Sequence, residues 1–310
     1  MRGLELSREY FNSVALPSLC THFPELSGRI VAGLVGNGSE CFGYDDEISR
    51  DHDWGVDFFV WLSNEDSGHI PKIAQWKTEL LKSNPPKFPR TLSEYGARVG
   101  IETVGSFYRS LIGFEAGPSE LMEWIRVPEE NLAMAVNGEV FIDEMGEFTK
   151  TRERLLEFFP EPLRLKRISS SCMTIAQSGQ YNFARCIKRG DTVAARSALV
   201  IWSDSVIRLV LLLNKRYRPY YKWRYRMLQE LPLLGKELSD ELQRTASLAL
   251  PDCAPEAIEI VENVCEKLAK VLRSEGLSDS NDDFFISHGE SVREKITDAQ
   301  LRELPSQYDV

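Results

Sequence analysis

Residues 38–54 of the 310-residue chain read GSECFGYDDEISRDHDW: a Gly-Ser pair, eleven intervening residues, then Asp51, His52, Asp53 and Trp54. A glycine ahead of a serine lets backbone N–H groups and a hydroxyl approach a phosphate, because no Cβ stands in the way. Two carboxylates one residue apart repel each other unless a cation lies between them. A hard divalent ion with oxygen ligands, Mg²⁺ first among them, meets that need. On an extended strand Asp51, Asp53, Gly55 and Asp57 share one face, with successive members about 6–7 Å apart, while His52, Trp54 and Val56 share the other. A phosphate cradle beside a carboxylate pair is equipment for phosphoryl or nucleotidyl transfer.

The elements that must position these groups follow from pattern and punctuation. Residues 5–24 predict a helix that ends at Phe23-Pro24. RIVAGLVG (29–36) predicts a strand running into the GNGS turn, and WGVDFFVWL (54–62) a second strand that continues the Asp-His-Asp segment. A polar helix-and-loop region containing NPPKFPR precedes RVGIETVGSFY (98–108), a third strand. SELMEWIRVPEENLAMAV (119–136) reads as helix, and GEVFIDEMGEFT (138–149) as a hairpin around Met145-Gly146. From Thr151 the strand signals stop. Helices are expected over 151–159, 162–189, 191–216, 222–230, 235–249 and 255–275, bounded by proline, glycine or Asp/Ser starts. LSDSNDDFF (277–285) is a polar connection to a C-terminal segment. The expected class is α+β: a mixed domain over 1–160 with a small sheet, then an all-helical domain over 161–310.

Bulk properties narrow the function. Net charge is −10 and the isoelectric point about 5.1, a poor match to nucleic acid, whose binding needs many cation–phosphate contacts. A small-molecule acceptor, with cations favoured, suits the balance better. Cysteines 20, 41, 172, 186, 253 and 265 contain no Cys-x-x-Cys, so neither a zinc site nor a disulfide scaffold is expected. The N-terminus MRGLELSREYF is not an apolar leader, and the apolar run SALVIWSDSVIRLVLLL is interrupted by Asp204 and Arg208. A soluble, cytoplasmic protein without membrane contact is the expectation. Other acids have two readings each. Asp45-Asp46-Glu47 is a helix-capping turn or a substrate-facing rim, and Asp57 half of a salt bridge or an extra acid near a metal. His52 is expected to stabilise the face opposite the carboxylates together with Trp54.

The motif LVGNGS, eleven residues, then DHDW resembles the signature of the polymerase-β-type nucleotidyltransferase superfamily. Within it the chain is similar to an uncharacterised bacterial family, a domain of unknown function, in GYDDEISRDHDWG, TV…FY, GEVFIDEMGEF, RYRPYYKW and ITDAQLRELP. The resemblance implies an N-terminal nucleotidyltransferase-like catalytic domain and a helical domain that closes over nucleotide and acceptor. It implies Gly38 and Ser39 at the nucleotide phosphates and Asp51 and Asp53 on Mg²⁺, with two ions expected and ATP or another NTP as substrate. A third carboxylate, as metal ligand or general base, falls to Glu102 in RVGIETV, with Asp143 as the fallback. The stretch KRYRPYYKWRYR (215–226), with six cations and five aromatics, resembles the lysine-and-aromatic corner that closes over ATP in antibiotic nucleotidyltransferases. Lys222, Tyr217 and Arg218 are its candidates, against an Arg/Tyr packing corner. The implied reaction is transfer of NMP to a hydroxyl of a small molecule, such as an aminoglycoside-like antibiotic or sugar metabolite. Transfer to tRNA or protein, and nucleotide binding without catalysis, are the alternatives.

Overall fold

A computed structural model describes residues 2–91 and 100–306. It is α+β and divides into two compact units, Met1–Phe158 and Phe159–Val310, against the sequence expectation of a boundary at residue 160.

The first unit is built on a four-stranded mixed sheet of order β3-β2-β1-β4. Its strands are β1 (Val31–Leu34), β2 (Phe59–Leu62), β3 (Ile101–Thr103) and β4 (Glu139–Asp143). β1 runs antiparallel to both β2 and β4, while β2 and β3 are parallel, as the intervening helix allows. Strand alternation assigns the two faces. Ala32, Phe58, Val60 and Leu62 pack under Phe11, Ala15 and Leu19 from the N-terminal helical segment and under Ile73, Trp76 and Leu80 from a second helix. Phe59 and Trp61 face the other way. They stack 5.0 Å apart, with Trp61 5.1 Å from Phe107 and 4.5 Å from Phe148. The sheet is therefore covered on both sides. The helices are α1 (Gly3–Tyr10), continued by a π turn into α2 (Leu16–His22); α3 (Ile70–Ser83); α4 (Val104–Ile112); α5 (Leu121–Arg126); α6 (Glu129–Val136); and α7 (Glu147–Leu156).

Four local expectations are corrected. The Asp-His-Asp segment is not strand, because Asp53 (φ 52°) and Gly55 (φ 129°) turn the backbone left-handed before β2 begins at Phe59. β3 ends at Thr103, whose side chain accepts from the Ser106 amide and starts α4. Residues 98 and 99 of that expected strand lie outside the described residues. Pro128 divides the 119–136 helix into α5 and α6. The 138–149 hairpin is instead β4 followed by α7, since the Asp143 carboxylate accepts from the Thr149 amide at 2.8 Å and caps a helix rather than opening a return strand.

At the end of β1 the ladder continues through a side chain. The Asn137 amide takes the place of a peptide group: Gly36 N–H donates to Oδ1 and Nδ2 donates to the Gly36 carbonyl, both at 2.8 Å. The next residue, Gly138, donates to the Cys41 carbonyl at 2.7 Å. These bonds tie the glycine turn after β1 to the start of β4.

The second unit is helical: α8 (Glu161–Ile175), α9 (Ala184–Lys188), α10 (Thr192–Leu213), α11 (Tyr221–Gln229), α12 (Gly235–Ser247), α13 (Ala254–Ser274), α14 (Ile286–Glu294) and α15 (Ala299–Glu303). α8 packs against α10 and α14, and Lys166, with no solvent exposure, donates to the carbonyls of Leu304 and Pro305. No described helix is long and apolar enough to cross a membrane.

Candidate functional site

β1 and β2 are antiparallel, with Gly33 opposite Phe59. The turn that leaves β1 and the loop that enters β2 therefore sit at the same end of the sheet. That end holds Gly38 and Ser39 from the turn, and Asp51 and Asp53 from the loop. Gly36 (φ 110°) and Gly38 (φ 120°) take conformations closed to most side chains. Among the described residues the amides of Gly38 and Ser39 and the Ser39 hydroxyl make no hydrogen bond. The Ser39 carbonyl is used instead, accepting from the amides of Phe42 and Tyr44 at 3.2 and 2.8 Å.

The loop carries its acids differently from a strand. Asp51 is exposed, its carboxylate 2.7 Å from His52 Nδ1. His52 thus partners the acid it was expected to face away from, because Asp51 is helical (φ −71°, ψ −32°) and breaks the strand alternation. Asp53 is half-buried, and its carbonyl accepts from Arg90 Nη1 at 2.9 Å. Asp45 holds the loop's base, accepting from the Gly3 amide at 2.7 Å and from Trp54 Nε1 at 3.0 Å, while Asp46 accepts from the Ser49 amide at 3.0 Å. Those two acids serve the turn. Asp57 pairs with Lys77 Nζ at 2.6 Å, the salt-bridge reading of that residue.

Three groups beneath the turn escaped the sequence reading. Glu40 has no solvent exposure and accepts a hydrogen bond from Arg90 Nη2. Burial pushes its carboxyl above the usual carboxylate range, against the opposing pull of Arg90. Lys77 is buried, which lowers its ammonium despite Asp57, and it also donates to the Phe58 carbonyl at 2.6 Å. Its signal was present in the sequence: Lys77 stands on the Ile73, Trp76, Leu80 stripe of α3, where a lysine needs a buried acid. Arg90 follows Pro89 in a loop and carried no such signal. Its backbone nitrogen and Cα lie 2.8 Å from where a Cβ on Gly55 would stand, so only glycine admits the approach.

Glu102 lies elsewhere on the sheet. It pairs with Trp61, two residues inside β2, so its side chain emerges on the Trp61 face. Five residues of loop separate Asp53 from the start of that strand. Burial raises the Glu102 carboxyl, opposed by a hydrogen bond from the Ser106 hydroxyl. Asp143, the fallback, caps α7. Among the described residues no three His, Cys, Asp or Glu side chains converge as a metal-holding group. A cavity of about 290 Å³ opens at the other end of β2 and β3, lined by Asn64, Val104, Glu115, Glu147, Lys150 and Arg154, none of them expected site residues.

The 215–226 corner belongs to the second unit. Tyr217 is buried, its ring edge-on to Phe159 at 4.9 Å. Arg218 and Arg224 converge on Asp204 at 3.4 and 2.6 Å as ion pairs. Lys222 is exposed, with Nζ 4.8 Å above the Trp223 ring.

A family model described as a domain of unknown function (DUF4037) matches residues 124–224, about a third of the chain. The match starts in α5 and ends in α11. It includes Tyr217, Arg218 and Lys222 and leaves out Gly38, Ser39, Asp51, Asp53 and Glu102. No curated protein and no solved structure matches the chain.

Proposed function

We propose that the first unit binds a nucleoside triphosphate, with ATP as the first choice, and transfers its NMP group to a hydroxyl of a small molecule. The observation that carries this reading is the pair of uncommitted amides at Gly38 and Ser39, set beside the loop that bears Asp51 and Asp53. Backbone N–H groups held by glycines of positive φ are a general device for binding phosphate oxygens. Asp51 and Asp53 would hold Mg²⁺. Two carboxylates suit that ion, which keeps several waters and takes phosphate oxygens for the rest of its shell. When bound, the metal would offset charge developing on the pyrophosphate leaving group. The protein's own part is positioning: the turn orients the phosphates and the loop sets the carboxylates beside them. A hydroxyl acceptor must also lose a proton, and Glu102, whose carboxyl burial raises, is the carboxylate assigned to take it.

The placement of Glu102 two residues inside the sheet, away from the aspartate loop, favours a second reading, nucleotide binding without transfer. Calorimetry with ATP and Mg²⁺ on the wild type, Asp51→Asn and Asp53→Asn tests the site. Heat of binding in the wild type and its loss in both variants is the expected result, and equal affinity in all three removes the assignment. Labelled NTPs incubated with aminoglycosides, lincosamides and amino-sugars test transfer. A labelled small product supports the first reading, and binding with no labelled product on any acceptor supports the second.

A further inference from the structure

Gly38 has no side chain, and the space where its Cβ would stand is taken by the Glu40 carboxylate, with Oε2 2.8 Å from that position. An anion of the protein's own therefore lies against the turn to which a phosphate is assigned. Its partner is Arg90, which donates through Nη2 to Glu40 Oε1 and through Nη1 to the Asp53 carbonyl. One guanidinium thus joins the turn to the aspartate loop. Among the described residues the pairing is incomplete on both sides: Glu40 Oε2 and Arg90 Nε are buried without a hydrogen-bond partner, and the Asp57 carboxylate stands 4.0 Å from Nε. Asp57 is matched by Lys77, so of these two carboxylates Glu40 is the one that serves Arg90.

We propose that Arg90 is a phosphate-contacting residue of this site and that Glu40 is its resident counter-ion, exchanged for a phosphate group when a polyphosphate settles on the Gly38–Ser39 turn. The inference rests on the nucleotide reading given above. A guanidinium presents its paired N–H groups to a carboxylate or to a phosphate in the same forked geometry. The exchange therefore needs no change in the donor, and it breaks no covalent bond. The uncommitted Nε gives the incoming group a further donor. Glu40 is costly to keep charged in its buried place, which lowers the cost of displacing it.

The test is calorimetric titration of ATP, and separately of inorganic triphosphate, with Mg²⁺ present. It uses the wild type, Glu40→Gln and Arg90→Gln, each checked for folding by thermal melting. Glu40→Gln keeps an acceptor for Arg90 and removes the competing charge, so triphosphate should bind about tenfold tighter, the scale of one partly buried charge interaction. Arg90→Gln should lose most of the affinity, and where it fails to fold the Glu40→Gln result alone decides. Binding seen only in Glu40→Gln supports the exchange, with Glu40 acting as a stopper in the wild type. Wild-type binding that Glu40→Gln leaves unchanged or weakens overturns the exchange and leaves the nucleotide reading standing. No binding by either protein overturns the nucleotide reading and this inference together.

Discussion

Asp53 joins a backbone role to a chemical one. At φ 52° it occupies the left-handed region, which Asp and Asn tolerate better than most residues. Asp53→Asn therefore removes charge without removing tolerance for the turn. It should melt with the wild type while losing Mg²⁺-dependent triphosphate binding. Asp53→Ala adds a backbone cost of about 1–3 kcal/mol, so a difference in melting temperature between the two variants isolates conformation from charge. Glu102 separates binding from turnover. Burial raises its carboxyl, so the fold penalises the charged form relative to the unfolded chain, and Glu102→Gln should melt no lower than the wild type. If Glu102 is the base, that variant should bind nucleotide normally and turn over about 10²–10⁴-fold more slowly. Asp143→Asn, which keeps an oxygen for the Thr149 amide, should leave the rate unchanged.

Among the elements, Trp61 sits where both the sheet and its outer helices depend on it. It is fully buried, stacked on Phe59 and closed over by Phe107 and Phe148. Trp61→Ala should cost about 3–5 kcal/mol, read as a shift in denaturation midpoint at constant slope. This layer was legible in outline. Apolar alternation located β1, β2 and β3, and the loss of strand signals after Thr151 marked the helical unit. What failed to show was where strands stop. Asp51 to Asp57 read as an alternating run continuous with Phe59–Leu62, yet the left-handed Asp53 and Gly55 keep 51–57 out of the ladder. The second arm of the expected hairpin is helix: left-handed Gly146 turns the chain, Thr149 donates to Asp143, and Phe148, Thr151 and Leu155 form a buried helical stripe. In the candidate site, Gly38, Ser39, Asp51 and Asp53 were visible from type and spacing. Glu40 and Arg90 meet across fifty positions of sequence, and such pairing is set by the fold alone. Tyr217 shows the same limit: nothing in the basic run signals that its ring is buried against Phe159.

At the scale of the whole molecule, a buried histidine sets a pH dependence. His288 has no solvent exposure, with Nδ1 2.8 Å from the Ser278 hydroxyl and Nε2 3.1 Å from the Asp282 carbonyl. Burial lowers its imidazole below the ordinary value of about 6.5, the nearby Arg273 adds to that, and Asp282 opposes it. The unfolded chain thus binds a proton that the folded chain refuses, and stability rises with pH across that interval. The contribution is complete above pH 6.5 and is lost as pH falls toward the lowered value. Glu40 and Glu102, raised by burial, act in the opposite sense at lower pH. Comparison with His288→Gln isolates the histidine: the stability difference between wild type and variant should shrink as pH falls below 6.5, and a constant difference would remove His288 as its source.

The side-chain bridge at the end of β1 also bears on how the protein ages. Asn137 is followed by Gly138, the pairing in which a backbone nitrogen most readily attacks the preceding amide carbon to close a succinimide ring. Here both reacting groups are held. The Asn137 amide is fixed at its oxygen and its nitrogen by Gly36, and the Gly138 N–H is committed to Cys41. Ring closure must first break those bonds, so deamidation at this peptide measures how often the turn opens. The carboxylate that deamidation leaves in place of the Asn137 amide has no N–H to offer the Gly36 carbonyl. The damaged chain then loses one of the bonds that hold its glycine turn in register with β4, while the Gly36 N–H keeps an oxygen to donate to.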